Sequence, residues 1–172
     1  MAILPILTAP DPRLEAMSQP VEKVDGAIRR LMDDLLETMY AAPGIGLAAP
    51  QVGAQKRVLV IDIAKDGNPP APLQLANPEV LWTAEEMLIY EEGCLSLPDQ
   101  YGDVARPARA RIRYLDPENE IREIEAEGLL ATCLQHEIDH LNGVLFVTHL
   151  SMLKRNIILR KLAKVKRLQA TA

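Results

Sequence analysis

The chain has 172 residues, of which 48% are hydrophobic and 25% charged, and its net charge is −5. This is the composition of an ordinary soluble globular protein, expected as a single domain over 1–172 and long enough to bury a core. No run approaches the roughly 18 apolar residues of a membrane span, no basic segment opens a secretory signal, and two cysteines are too few for a disulfide framework, so a cytoplasmic location with reduced thiols is expected.

In chain order, residues 1–24 are punctuated by Pro5, Pro10, Pro12 and Pro20 and read as irregular. Asp25 can cap a helix whose apolar positions Ile28, Leu31, Met32, Leu35, Leu36 and Met39 follow helical spacing, and Pro43-Gly44 ends it. The stretch Gly44-Ile45-Gly46-Leu47-Ala48-Ala49-Pro50-Gln51 partly fits a dinucleotide fingerprint, but a helix rather than a strand precedes it, and Pro50 sits badly in the helix that should follow. It reads instead as a tight turn packed under a sheet, or as a close backbone approach that presents one amide side chain. Strands are expected at 57–63, 73–82, 85–91, 104–115 and 121–126, with a loop over Asp66–Pro70. In the fourth, Arg109, Arg111 and Arg113 alternate with Ala110, Ile112 and Tyr114, which implies an antiparallel strand with one solvated basic face. Leu129 to Leu141 forms a helix stopped by Asn142-Gly143. Ser151 can cap a last helix to about Gln169, with Leu153, Ile157, Ile158, Leu162 and Val165 as its docking stripe. The expected fold class is α+β, with antiparallel strands around a central helix. All acidic residues lie in 1–139, whereas 140–172 carries seven Lys or Arg, which hints at a polyanionic partner for the tail.

The central helix carries Gln135-His136-Glu137-Ile138-Asp139-His140. Residues four apart lie on one helical face, so His136 and His140 can converge on one ion. Glu137 points about a quarter-turn away, close enough to act on a water without being a ligand. A third ligand is needed to separate families that share this pattern. The extension that would place a histidine at position 146 meets Phe146, and His149 has no recognisable spacing to the motif. Cys133 shares the helical face, but ligands at i, i+3 and i+7 of one straight helix span about 10 Å, beyond an ion bound at about 2.0–2.3 Å. Cys94, in Glu92-Gly93-Cys94-Leu95-Ser96, can approach from outside the helix and complete a Cys-His-His set. Arg106 and Asp139 are candidates for an ion pair that supports the ligands.

These three stretches together, Gly44–Gln51, Glu92–Ser96 and Gln135–His140, occur in the order and at the separations of one family: the chain resembles the peptide deformylases along nearly its full length. The resemblance implies that Cys94, His136 and His140 bind one divalent ion, usually Fe²⁺, with Ni²⁺, Co²⁺ or Zn²⁺ able to substitute. It implies hydrolysis of the N-formyl group from the initiator methionine of new polypeptides, with Glu137 as base and then acid. Gln51 and the backbone N–H of Leu95 would be the oxyanion donors. Around the methionine side chain it places Ile45, Tyr90, Leu129, Thr132 and Cys133, with the Gly46 backbone holding the peptide like an added strand. Tyr101 stands where many relatives have an arginine. The implied partners are the formyl-Met nascent peptide and, through the basic helix 151–169, ribosomal RNA, with no membrane and no DNA. Two other classes meet the same residues: a metallohydrolase for another acyl-amide, and an inactive metal-binding or ribosome-associated protein. Intact Glu137 and Gln51 argue against the second, since binding alone requires neither.

Overall fold

The structure, a computed structural model, describes residues 2–64 and 67–171. Asp25 accepts from the Ile28 N–H and starts helix α1, Gly26–Ala41, as its capping position requires. The glycine stretch then forms a short strand, β1, Gly46–Ala48, followed by a single 3-10 turn at Ala49–Val52. Strands β2 (Val58–Ile61), β3 (Leu73–Thr83), β4 (Met87–Cys94), β5 (Leu97–Pro107), β6 (Arg109–Leu115) and β7 (Ile121–Glu127) follow. Helix α2, Gly128–Leu141, carries the histidine motif, and α3, Met152–Ala170, closes the chain from a Ser151 cap whose hydroxyl accepts from Lys154 N–H. Of the expected loop, Asp66 lies outside the described residues, and 67–70 forms no helix or strand. The described residues contain no helix long and apolar enough to cross a membrane.

Five strands form an antiparallel sheet in the order β1-β2-β3-β6-β7, and β4 pairs with β5 in a separate hairpin. The alternation of β2 explains the layering. Leu59 and Ile61 face α2 with its Ala131, Leu134, Ile138 and Leu141, while Val58 and Val60 face α1 with its Met32, Leu35 and Met39. The sheet is thus covered on both faces at β2, and α2 is held centrally, as expected of this α+β arrangement. A third cluster joins Leu97 and Val104 of β5 to Phe146, Ile158 and Leu162. On β6 the basic face is real: Arg109, Arg111 and Arg113 lie opposite Glu127, Glu125 and Glu123 of β7.

Two expectations are corrected. The single strand at 104–115 is two strands in different sheets. Pro107 has no N–H to extend a ladder, and the chain turns there from the β4–β5 hairpin into the five-stranded sheet. On α3, Leu153, Ile157 and Val165 are exposed, and only Ile158 and Leu162 of the expected stripe are buried. The docked face includes Lys166, whose ammonium donates to the carbonyls of Thr8 (2.8 Å) and Pro10 (2.6 Å). A long basic side chain packs its stem where a hydrophobic pattern would not place it.

Candidate metal centre and active site

The sulfur of Cys94 and ring nitrogens of His136 and His140 all lie within 4.8 Å of one another. Cys94 ends β4, and the two histidines come from successive turns of α2, so a strand end and a helix face supply the set. Cys94 Sγ is 3.3 Å from His140 Nε2. Two donors on one tetrahedral ion are expected roughly 3.3–3.8 Å apart, given bonds of about 2.0–2.3 Å. The rings of His136 and His140 meet edge to face at 5.0 Å. Phe146, where the alternative third histidine would stand, is stacked beside His136 at 6.2 Å.

The electrostatic surroundings of these groups suit a cation. Burial pulls the His140 imidazole well below its ordinary value, and His136 and Arg106 add to the effect, so the ring is neutral and offers a lone pair. Burial would also lower His136, but bonds to Cys94 and Glu92 and the charge of Glu137 outweigh it and raise the ring well above its ordinary value. Surroundings negative enough to hold a proton there also hold a metal ion. His140 Nδ1 and Glu137 Oε2 are buried with no hydrogen-bond partner among the described residues. Thiolate and imidazole donors fit a first-row divalent ion.

A network of charge fixes the His136 ring. Its Nδ1 is 2.8 Å from Glu92 Oε1, and Glu92 takes a two-pronged contact from Arg106 at 2.7 and 3.0 Å. Arg106 Nη1 reaches Asp139 at 2.9 Å, so the expected Arg106–Asp139 pair forms, and His149 closes the chain 2.9 Å from the same Asp139 oxygen. Burial would raise the Glu92 carboxyl, but the bonds from His136 and Arg106 hold it below its ordinary value, so it remains a carboxylate. Arg106 is itself buried. Removing one member of a buried ion pair leaves the other uncompensated. Arg106→Met is therefore expected to lower unfolding stability by about 3–5 kcal/mol, measured by urea unfolding, and an unchanged midpoint would contradict the network's role.

Glu137 lies beside the ligands but not among them: its Oε1 is 3.9 Å from His136 Nε2, too far for a hydrogen bond. Burial pushes its carboxyl up to about 7; His136 and Arg106 oppose that rise, and Glu92 and Asp139 add to it. Gly46 makes this placement possible, because a Cβ at residue 46 would lie 2.7 Å from Glu137 Oε1. Gln51, buried in the 3-10 turn, accepts from Ala48 N–H at 2.9 Å and points its amide nitrogen at Ser96 Oγ (3.0 Å) and Cys94 Sγ (3.5 Å).

Gln51, Glu92, Cys94, His136 and Glu137 border a cleft of about 640 Å³. Ile45, Gly46, Tyr90, Leu129, Thr132 and Cys133, from three places in the chain, all line it. Leu95 lines it from the turn between β4 and β5, and Tyr101 stands exposed at its mouth. Burial, with the charges of Glu137 and Glu92, pushes the Cys133 thiol up to about 12, and Cys133 lines the cleft outside the converging donor set of Cys94, His136 and His140. Three contributors escaped sequence reasoning: Glu92, Ser96 and His149. The first carried a signal, since residues 92 and 94 share one side of an extended strand. His149 carried none, because its partner is reached only through the fold.

Residues 3–156 match the family described as Polypeptide deformylase. A peptide deformylase of Mesorhizobium japonicum is 57% identical over 165 residues, covering 96% of this chain and 94% of that protein. Among solved structures, peptide deformylase from Ehrlichia chaffeensis in complex with actinonin superimposes with a TM-score of 0.92 at 44% identity, over 97% of this chain and 99% of that one. A Met-Ala-Ser-bound peptide deformylase from Acinetobacter baumannii gives a TM-score of 0.81 at 35% identity, over 87% and 99% of the two chains.

Proposed function

This chain belongs to the polypeptide deformylase family, a metal-dependent hydrolase that removes the formyl group from N-formylmethionine, and on that premise we propose how its own residues carry the reaction. The observation that carries the reading is the convergence of the donor atoms of Cys94, His136 and His140, with Cys94 and His136 lining one cleft beside Glu137 and Gln51. The proposed ion is Fe²⁺, with Ni²⁺, Co²⁺ or Zn²⁺ as substitutes, because a Cys-His-His set accepts several ions and availability selects among them. Bound there, the ion supplies Lewis acidity and lowers the pKa of water from about 15.7 towards about 7.

Glu137 receives the proton of the attacking water on its carboxylate. It then returns that proton to the amine nitrogen as the C–N bond breaks, so one carboxyl serves as base and acid. A carboxyl held near 7 by burial suits both halves of that exchange. The Gln51 amide and the Leu95 N–H donate to the oxyanion that develops on the formyl oxygen. Gln51 is suited to this because Ala48 and Ser96 fix its side chain before substrate arrives. Gln51→Ala is expected to lower kcat by about 10²–10³-fold in a formate-release assay on formyl-Met-Ala-Ser, with KM little changed. A loss confined to KM would remove Gln51 from the transition state.

The substrate backbone adds to the β1 edge at Gly46, which is terminal in the sheet order, while Ile45, Tyr90, Leu129, Thr132 and Cys133 surround the methionine side chain. The whole chain acts as one domain in the cytoplasm. Helix α3 docks on ribosomal RNA near the emerging chain through its exposed Lys154, Arg160, Lys161, Lys164 and Arg167. Deleting α3 would also remove buried Ile158 and Leu162, so charge reversal is the cleaner test. Lys161→Glu with Lys164→Glu and Arg167→Glu is expected to abolish ribosome co-sedimentation at low salt, and the unaltered protein to dissociate steeply as salt rises. Unchanged co-sedimentation of the variant would contradict this docking.

A further inference from the structure

Asp62 is a buried carboxylate that the reaction above does not use. It follows Ile61, the partner of Gly46 across β1 and β2, and its N–H donates to the Ile45 carbonyl at 2.9 Å. Its carboxylate accepts from Tyr40 Oη at 2.5 Å, from Ala64 N–H at 2.9 Å and from Ala71 N–H at 3.1 Å. Tyr40 lies in the last turn of α1, so one residue grips both ends of the link that joins α1 to β1. Burial would raise the Asp62 carboxyl, but these three donors hold it below its ordinary value. Burial and then Asp62 push the Tyr40 phenol up to about 12, so it keeps the proton it donates.

The link so held is the rim of the cleft, with Pro43, Gly44, Ile45 and Gly46 all facing it, while neither Tyr40 nor Asp62 lines it. It threads between two fixed walls. A Cβ at residue 44 would lie 2.8 Å from Leu95 Cδ1, and the contact of residue 46 with Glu137 is as close. Leu95 and Glu137 are anchored beside β4 and on α2, so a link released at one end can only move away from them. That movement withdraws the Ile45–Gly46 edge from whatever pairs with it.

We propose that Asp62 and Tyr40 are a positioning pair that sets the Ile45–Gly46 edge and thereby determines how tightly the enzyme holds a substrate's backbone beyond its first residue. The inference rests on the proposed addition of the peptide to the β1 edge. Its test compares Tyr40→Phe with the unaltered protein on formyl-Met-Ala-Ser and on formyl-methionine amide, which has no second residue. For the tripeptide, KM is expected to rise roughly three- to tenfold, the scale of one net hydrogen bond, with kcat within about twofold. The amide substrate should show no change in kcat/KM beyond the same twofold. Asp62→Asn, which keeps the shape but turns one accepting oxygen into an NH2 donor and leaves the other a weaker, neutral acceptor, is expected to act in the same direction and further. Should that variant fail to fold, Tyr40→Phe alone carries the test, since it removes a single hydroxyl. Equal losses on both substrates, or a lowered unfolding midpoint with both KM values unchanged, would overturn the proposal. Absence of formate release by the unaltered protein would instead overturn the deformylase reading beneath it.

Discussion

Glu137→Ala is expected to lower kcat on formyl-Met-Ala-Ser by about 10²–10⁴-fold, the range for losing a positioned general acid–base. The position argues for the top of that range. The carboxyl is buried beside the ligands, with Oε1 3.9 Å from His136 Nε2, and Oε2 has no hydrogen-bond partner among the described residues. The two carboxyls that support the ligands are committed elsewhere. Glu92 is committed to His136 and Arg106, and Asp139 to Arg106 and His149. Because Glu137 is not a ligand, the variant should retain one ion per chain by elemental analysis. Near-normal kcat in that metal-loaded variant would remove Glu137 from proton transfer, whereas loss of the ion would make it a ligand after all.

The second large effect is expected at Cys94. Cys94→Ala deletes the only donor that does not come from α2, leaving two imidazoles that cannot complete a three-ligand site. Metal content should fall from one ion per chain to a small fraction after dialysis, and formate release should fall with it to background. The remaining thiol offers no rescue, because Cys133 lies in the cleft wall outside the group of converging donors. The fold should survive, since Cys94 is only partly buried and ends its strand. A variant that bound one ion as tightly as the unaltered protein would show that the site is built from other residues.

Much of this architecture was legible in the residues because local rules and tertiary structure agree there. The Asp25 and Ser151 caps, the period of α1 and the i, i+4 spacing of His136 and His140 each dictate their own geometry. The failures have particular causes. Gly46–Ala48 is too short to show a period of two, so β1 reads as a turn. Pro107 interrupts an otherwise continuous strand pattern, and its missing N–H should have divided the run. At the site, the ligands and Glu137 are local to motifs and therefore readable. Of the support only the Arg106–Asp139 pair is expected: Arg106 reaches Glu92, and His149 reaches Asp139, only once β5, α2 and the turn after it are packed. The Tyr40–Asp62 contact likewise joins a helix end to a strand end in a way no spacing announces.

The most direct test of the central claim is formate release from formyl-Met-Ala-Ser by protein purified without oxygen, before and after chelation, with the metal content of each sample measured. One divalent ion per chain is expected, with activity lost on chelation and restored by stoichiometric Fe²⁺ or Ni²⁺. Formate release that persists undiminished in metal-free protein would contradict a reaction centred on Cys94, His136 and His140.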